Sequence, residues 1–599
     1  MTRPQTESLD VPGFLPRAAS DLRLRLAKGG WNTILPDPLG WVFWLSVLAL
    51  LARAMLLSGP IIMDDEYYYA KTAQLWYLNA EHTRSVTAMI GGEAPTFPNA
   101  FFFAIYQFCY LFGPSFYTAA KLLNVAFVTI SAIAVARVGR LFTGRSTAGW
   151  IGVLTLWLPA TAYGVAFMAE PLYECVVWCG LLAFFSLLPR HERGAAAALG
   201  LSLGIAYLTK PTAVVLLMTA NAVVAIVAWR SSEGKRRLRS VLAVVAVLNL
   251  AFFATGYLLN TVLTGSVAWD PIGGYYRQDL SKAMAVEATH NFLADAVRYV
   301  AAYTFFVLLL FGPAVTMLIA GFRKAAQDTR TGALAAFAAV GLALLVLGTA
   351  KASINWEYVH EGNPQSYSTR YMSVLFPLLL IAYATLYEGA ATAITVRKWI
   401  GAIAALAVAC FAVLFVSIEN TIQVKEVFWT RGWVGIAGPD GIWAYAGASI
   451  VFLSVTVYHA FARRPRATVY AGVLAVWAIL SAMGLFRLEL WDSTGWLGPS
   501  DRAGLVVSSL VAPSARDNGL VVFDYRWRAS TFMFRYPGFV PIRREVSGSI
   551  IDRDSIPSSA KWVVFLGPVR PGFDSSACIR IPDALWCPLA SDALVASGT

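Results

Sequence analysis

Thirteen apolar stretches, each near the length that crosses a bilayer, occupy the chain between Trp41 and Phe486. A hydrocarbon core of ~30 Å needs about 20 apolar residues of helix. Inside lipid the backbone must satisfy its own hydrogen bonds, so stretches of this length fold as spanning helices. They fall at 41–59, 116–138, 147–168, 171–188, 195–209, 211–229, 241–263, 297–321, 332–350, 371–388, 399–418, 441–461 and 467–486, the fifth being the shortest. A chain that is 58% hydrophobic and only 14% charged fits that reading.

The basic residues sort the loops into two sides. Arg17, Arg23, Arg25 and Lys28 precede the first span, Arg137, Arg140 and Arg145 follow the second, and Arg190 and Arg193 follow the fourth. Further clusters follow the sixth span (Arg230, Lys235, Arg236, Arg237, Arg239), the eighth (Arg323, Lys324, Arg330), the tenth (Arg397, Lys398) and the twelfth (Arg463, Arg464, Arg466). An odd number of spans then places the amino terminus in the cytoplasm and the carboxyl terminus outside. The net charge of +12 is a topology signal with some affinity for anionic lipid heads, and nucleic acid is not expected as a partner.

Residues 1–40 are polar, lack the apolar core of a cleavable signal, and read as a cytoplasmic tail; residues 41–486 form the membrane domain. Beyond Arg487 the apolar runs shorten and turn residues multiply. Gly519–Tyr525 and Lys561–Leu566 read as buried strands, so residues 487–599 are expected to form a small extracytoplasmic α/β domain. Cys578 and Cys587 would then meet an oxidising compartment and pair, whereas Cys109, Cys175, Cys179 and Cys410 lie in apolar segments as small hydrophobes. Ala and Arg richness points to a GC-rich bacterial source, hence a bacterial inner membrane.

The outer loop at 59–115 carries the most polar chemistry. It opens with Asp64-Asp65-Glu66-Tyr67-Tyr68-Tyr69 on a helix-like stretch. Acids at a first helical turn cap orphan N–H groups, and that is the plain reading of Asp64. Three acids and three tyrosines in a row exceed what a cap requires, and Tyr69 lies one turn after Asp65 on the same face. A carboxylate beside an aromatic ring suits a sugar. Glu93, in a Gly/Pro-rich turn, is either a solvated turn acid or a second site carboxylate. The aromatic stretch from Phe101 to Phe112 is too short and Pro-bounded to span and is expected to lie along the interface.

Other outer residues join this group. Glu170 sits in a hairpin so tight that it must lie at the membrane boundary, where an ionisable group needs a partner or water. Lys210, in Leu208-Thr209-Lys210-Pro211, breaks the charge bias of its side; it either snorkels or binds an anion. Arg370, before Tyr371 at the mouth of the tenth span, could bracket the same anion, for which a lipid-linked phosphate is the natural candidate. Lone histidines such as His290 and His360 are more often structural than ligands. Arg53 and Lys121 either pair with these acids or snorkel.

The ordered set resembles a known family. Asp65-Glu66-Tyr67-Tyr68-Tyr69-Ala70 is similar to the Asp-Glu-x-x-Tyr-Ala signature after the first helix of the lipid A aminoarabinose transferase and its relatives. Those are polyprenyl-phosphate-sugar-dependent glycosyltransferases of the GT-C fold, akin to protein O-mannosyltransferases. The likeness continues through Glu93-Ala94-Pro95, Leu111–Ser115, Lys121-Leu122-Leu123-Asn124, Glu170, Leu208-Thr209-Lys210 and Arg370-Tyr371. Ala94 stands where the family usually has Lys, and Tyr68 replaces a common polar residue. Beyond residue 390 only the layout corresponds.

The resemblance implies a transmembrane bundle of about thirteen helices with a small periplasmic α/β domain, and a sugar transfer at the periplasmic face. An acceptor hydroxyl attacks the anomeric carbon of a polyprenyl-phosphate sugar, which needs a base and positive charge for the departing phosphate. Asp65 is the expected base, with Glu66 orienting it or the acceptor, and Lys210 and Arg370 holding the phosphate. Asp64, Tyr69, Glu93, Glu170 and Tyr371 are expected around sugar and acceptor, and a divalent metal held by Glu93, Glu170 and His290 is a further option. The acceptor is an envelope glycan, a lipid or a protein. Two other classes remain open: a secondary transporter or flippase, and a polysaccharide ligase or polymerase using a preassembled lipid-linked glycan.

Overall fold

The computed structural model describes residues 37–57, 63–78, 99–158, 164–232, 236–265, 292–359, 372–388, 467–491, 520–524, 542–544, 550–567, 569–581 and 584–589, with isolated residues elsewhere. The helices are α1 (Asp37–Leu56), α2 (Met63–Tyr77), α3 (Ala100–Tyr106), α4 (Phe116–Gly139), α5 (Arg145–Trp157), α6 (Glu170–Leu187) and α7 (Glu192–Thr209). They continue as α8 (Ala213–Ser231), α9 (Arg236–Thr264), α10 (Phe292–Ala325), α11 (Thr329–Val359), α12 (Phe376–Glu388) and α13 (Ala467–Trp491). Among the described residues six helices are long and apolar enough to cross a membrane, or seven if the two limbs of α10 form one span. The chain is a multi-pass membrane protein. The spans expected at 399–418 and 441–461 lie almost wholly outside the described residues.

The observed helices follow the apolar stretches closely, with one exception. The stretch at 147–168 is helical only as α5, which stops at Trp157. Leu158 is extended, with φ −67° and ψ 155°, as a residue before proline is pushed to be, and Pro159 cannot donate to a continuing helix. The chain then returns through a 3₁₀ turn at Gly164–Val165 and irregular backbone at 166–169 to the start of α6. α10 is bent by 89° between Phe292–Leu308 and Leu310–Arg323. Pro313 within it removes an N–H and crowds the carbonyl four residues earlier, which is where the limbs part.

The bundle packs in chain order, α4 against α5 and α6, α7 against α6 and α9, α8 against α9 and α11, and α10 against α11 and α12. Small residues make the closest approach. A Cβ added at Gly204 of α7 would come 2.7 Å from the Phe252 carbonyl oxygen of α9, so this crossing tolerates only glycine. Between α8 and α9, Asn249 Nδ2 donates to Asn221 Oδ1 at 2.6 Å, and Asn221 returns the bond at 3.3 Å. Exposed Trp41, Leu250 and Val262 face outward, as expected where the solvent is lipid.

The aromatic stretch after residue 100 departs from expectation. It is short α3 followed by a 3₁₀ segment, Gln107–Ser115, running into α4. Phe102, Phe103 and Tyr106 are fully buried, while Phe108, Leu111 and Phe112 are exposed, so only the second half presents apolar surface. The first half packs inward with Ala70, Tyr117 and Phe167.

The carboxyl-terminal strands are β1 (Leu520–Asp524), β2 (Ile542–Arg544), β3 (Ile550–Ile551), β4 (Trp562–Leu566), β5 (Arg570–Pro571), β6 (Ile579–Ile581) and β7 (Ala584–Pro588). Five form one sheet in the order β2-β1-β4-β7-β6, with β1 parallel to both neighbours and β7 antiparallel to β4 and β6. β1 and β4 are the two runs read as buried strands, and both faces are covered, which explains why they lack polar alternation. Val521, Phe523, Val563 and Phe565 line one face; Leu520, Val522, Trp562 and Val564 line the other. Tyr67 of α2 belongs to that second face's core. The pairing of Cys578 with Cys587 is present, closing a nine-residue separation beside β7.

Candidate functional site

The site is built at the end of the bundle where α2, α6 and α7 meet the return segment 164–169. α2 begins at Met63, which places Asp64, Asp65 and Glu66 in its first turn. The Asp64 and Asp65 side chains lie outside the described residues. Glu66 is fully buried. Its Oε2 accepts the Tyr117 hydroxyl at 2.8 Å and the Phe167 N–H at 2.7 Å. A carboxylate deep in the protein needs such donors. Glu66 thereby fixes α2 against α4 and the return segment, rather than presenting a free base.

A set of side-chain amides and hydroxyls holds the same region. Asn124 Nδ2 donates to the Ala166 carbonyl at 2.5 Å, and Asn124 Oδ1 accepts the Tyr106 hydroxyl. Asn99 Nδ2 donates to the Thr209 carbonyl at 2.7 Å, tying the start of α3 to the end of α7. The Tyr110 hydroxyl donates to the Ala70 carbonyl at 2.5 Å. Lys121 is buried; its ammonium donates to the Leu57 carbonyl at the end of α1 and lies 4.7 Å from the Tyr117 ring centroid. A cation on the last carbonyls of a helix is favourable, so Lys121 closes α1 against α4. Arg53 is buried in the last turn of the same helix.

Glu170 and Lys210 meet directly. Lys210 Nζ and Glu170 Oε1 form an ion pair whose side chains are 7% and 3% exposed. Glu170 starts α6, and Lys210 follows the last residue of α7 in extended conformation, so each charge suits its helix end. Glu170 Oε2 is buried and has no hydrogen-bond partner among the described residues. A paired carboxylate with one oxygen unspent can accept a hydroxyl or a proton.

Glu174 lies one turn further along α6, within electrostatic reach of both Glu170 and Lys210. The Ser373 hydroxyl donates to Glu174 Oε1 at 2.7 Å, joining α6 to the turn that opens α12. Sequence reading passed over Glu174, although Glu170 and Glu174 share a helical face at four-residue spacing. Asn99 and Tyr117 carry no signal in the sequence, and Asn124 is marked there only as part of the Lys121-Leu122-Leu123-Asn124 motif, with no role.

The other expected residues are distributed as follows. Tyr69 stands edge-on to Phe102, with ring centroids 5.1 Å apart, at the border of the aromatic cluster. Glu93, His290, His360, Arg370 and Tyr371 lie outside the described residues. Among the described residues no group of three His, Cys, Asp or Glu side chains could hold a metal ion. Glu170, the described member of the expected metal set, already carries an ammonium partner, which opposes a second cation. Glu93 and His290, the other two members of that set, lie outside the described residues.

A helical membrane bundle followed by a small carboxyl-terminal sheet is the layout of the GT-C fold, and the present chain shares it with a solved GT-C protein. The likeness rests on ArnT from Cupriavidus metallidurans bound to undecaprenyl phosphate, at TM-score 0.52 and 14% identity, covering 92% of this chain and 99% of that one. The Archaeoglobus fulgidus oligosaccharyltransferase is also similar, at TM-score 0.43 and 11% identity over 87% of this chain and 69% of that one, a score too low to carry an argument. The same holds for the arabinosyltransferase EmbB from Mycobacterium smegmatis, at TM-score 0.36 and 13% identity over 76% and 43%. No protein-family model and no curated protein matches the sequence.

Proposed function

We propose that the chain is an integral membrane glycosyltransferase that moves a sugar from a polyprenyl-phosphate donor to an envelope glycan, lipid or protein acceptor. The observation that carries this reading is the buried Glu170–Lys210 pair, with its unspent carboxylate oxygen, at the end of the segment on which Glu66 of α2 closes. The undecaprenyl phosphate bound by ArnT, whose fold the chain resembles, supports a lipid-phosphate donor. In this reading the membrane domain has thirteen spans, its amino terminus is cytoplasmic in a bacterial inner membrane, and residues 487–599 form a periplasmic domain.

The acceptor hydroxyl attacks the anomeric carbon as the bond to the phosphate oxygen breaks. Asp65 takes the hydroxyl proton. Lys210 and Arg370 stabilise the charge on the departing phosphate, the task that most lowers such a barrier. Glu170 holds Lys210 in place and offers its second oxygen to a sugar hydroxyl. Glu66 is a positioning residue, since its two donors set the pitch of the turn that carries Asp65. Asp64, Tyr69, Glu93 and Tyr371 surround sugar and acceptor.

Protein reconstituted in liposomes with monosaccharide polyprenyl phosphates should form a glycosidic bond. Asp65→Asn should lower the rate by about a thousandfold, the usual span of general-base catalysis being ~10²–10⁴. Normal turnover in that variant would remove Asp65 as the base. Substrate flux across the vesicle without any new bond would mark a transporter instead. Activity only with long-chain pyrophosphate donors would mark a ligase.

A further inference from the structure

At the opposite end of the bundle lies a cavity of about 610 Å³, walled by the turns after α4, α6 and α10. It is separated from Glu170 by the whole of α6, 18 residues or about 27 Å at 1.5 Å per residue. That is close to the thickness of the hydrocarbon core, so the cavity sits at the other membrane boundary, the end that bears the basic clusters.

Its walls have two kinds of chemistry. Leu141, Phe142 and Leu188 contribute apolar surface, while Arg190, Arg330 and Thr329 contribute polar groups. Glu192 and Asp328 also line it, yet neither arginine forms an ion pair with them among the described residues. Asp328 is engaged elsewhere, since its Oδ2 accepts the Thr331 N–H at 2.7 Å and caps α11. Arg330 Nε is buried without a hydrogen-bond partner among the described residues. A third guanidinium stands close by, with Arg230 Nη1 3.3 Å from where a Cβ would sit on Gly332, one turn into α11. The first turns of α7 and α11 both open here, adding the positive ends of two helix dipoles.

Cationic donors with no acid committed to them ask for an anion, and an apolar wall at a membrane boundary asks for acyl chain. We infer that this cavity binds the phosphate of an anionic glycerophospholipid, with its headgroup between Arg190 and Arg330 and its chains along Phe142 and Leu188. The volume falls within the ~300–1,000 Å³ of small-ligand sites, and basic pockets between spanning helices are where such headgroups bind. The inference does not depend on the sugar-transfer reading.

The test is native mass spectrometry of the full-length protein in detergent, titrated separately with short-chain phosphatidylglycerol, short-chain phosphatidylcholine and inorganic phosphate. Phosphatidylglycerol should be retained in preference to phosphatidylcholine, and the Arg190→Gln/Arg330→Gln variant should bind it about tenfold or more weakly. Arg190→Gln alone, at an exposed position that leaves the fold undisturbed, should fall between the two. Equal retention of the two lipids, or equal binding by wild type and variants, would overturn the inference. So would inorganic phosphate binding as tightly as phosphatidylglycerol, which would make the site one for a soluble anion.

Discussion

The most exacting residues are the charged ones that the bundle hides. Removing one member of a buried ion pair strands the other in low dielectric, at a cost of about 3–5 kcal/mol. Lys210→Ala and Glu170→Ala should each lower the thermal stability of the detergent-solubilised protein by an amount of that order. Glu170→Gln/Lys210→Met should recover most of it while remaining inactive in sugar transfer. A double variant with full transfer activity would confine the pair to a structural role. Glu66→Ala leaves a hydroxyl and an N–H without acceptors, for about 2–3 kcal/mol, and Glu66→Gln, which keeps an acceptor oxygen, should cost much less. Lys210 was legible because it broke the charge bias of its loop, and Glu170 because its hairpin left it nowhere to hide. Asn99, and the role of Asn124 within its motif, were not legible, because their partners are backbone carbonyls 110 and 42 residues away that no local pattern announces. Glu174 was masked by the apolar run around it.

At the level of elements, apolar length located nearly every described helix, since the bilayer sets one requirement for all of them. It failed where proline acted: the run at 147–168 has spanning composition, but the α-helix ends at Trp157, before Pro159, and residues 164–169 become the segment on which Glu66 and Asn124 close. Buried irregular backbone of this kind is tolerated because the Val165 and Ala166 carbonyls and the Phe167 N–H meet side-chain partners. Helix crossings were invisible to composition as well. The α7–α9 crossing depends on Gly204, and Gly204→Leu should prevent the two helices from approaching. Reduced yield of folded protein by size-exclusion chromatography, with no gain from added donor lipid, is the expected outcome. Ser202 offers no such control, as it faces α6 instead.

At the scale of the whole molecule, the sheet and the bundle are not independent. The Cys578–Cys587 bridge closes a short loop, and chain-entropy reasoning gives it about 2–3 kcal/mol. Cys578→Ser/Cys587→Ser should loosen the sheet by that amount, measured by its protease sensitivity, while the spanning helices remain inserted. A larger effect is expected from Tyr67→Ala, which opens a hole in the core shared by α2 and the sheet, for about 3–5 kcal/mol. Sugar transfer should fall with it, although Tyr67 is assigned no chemistry.

That shared core orders events during synthesis. In the proposed topology the acidic turn of α2 crosses the membrane early, but Tyr67 finds its packing partners only after β1, β4 and β7, hundreds of residues later, have followed it and closed on one another. On the proposed function, a nascent chain would therefore stay inert until that sheet has formed, and a chain cut after Trp491 should insert its helices yet stay idle.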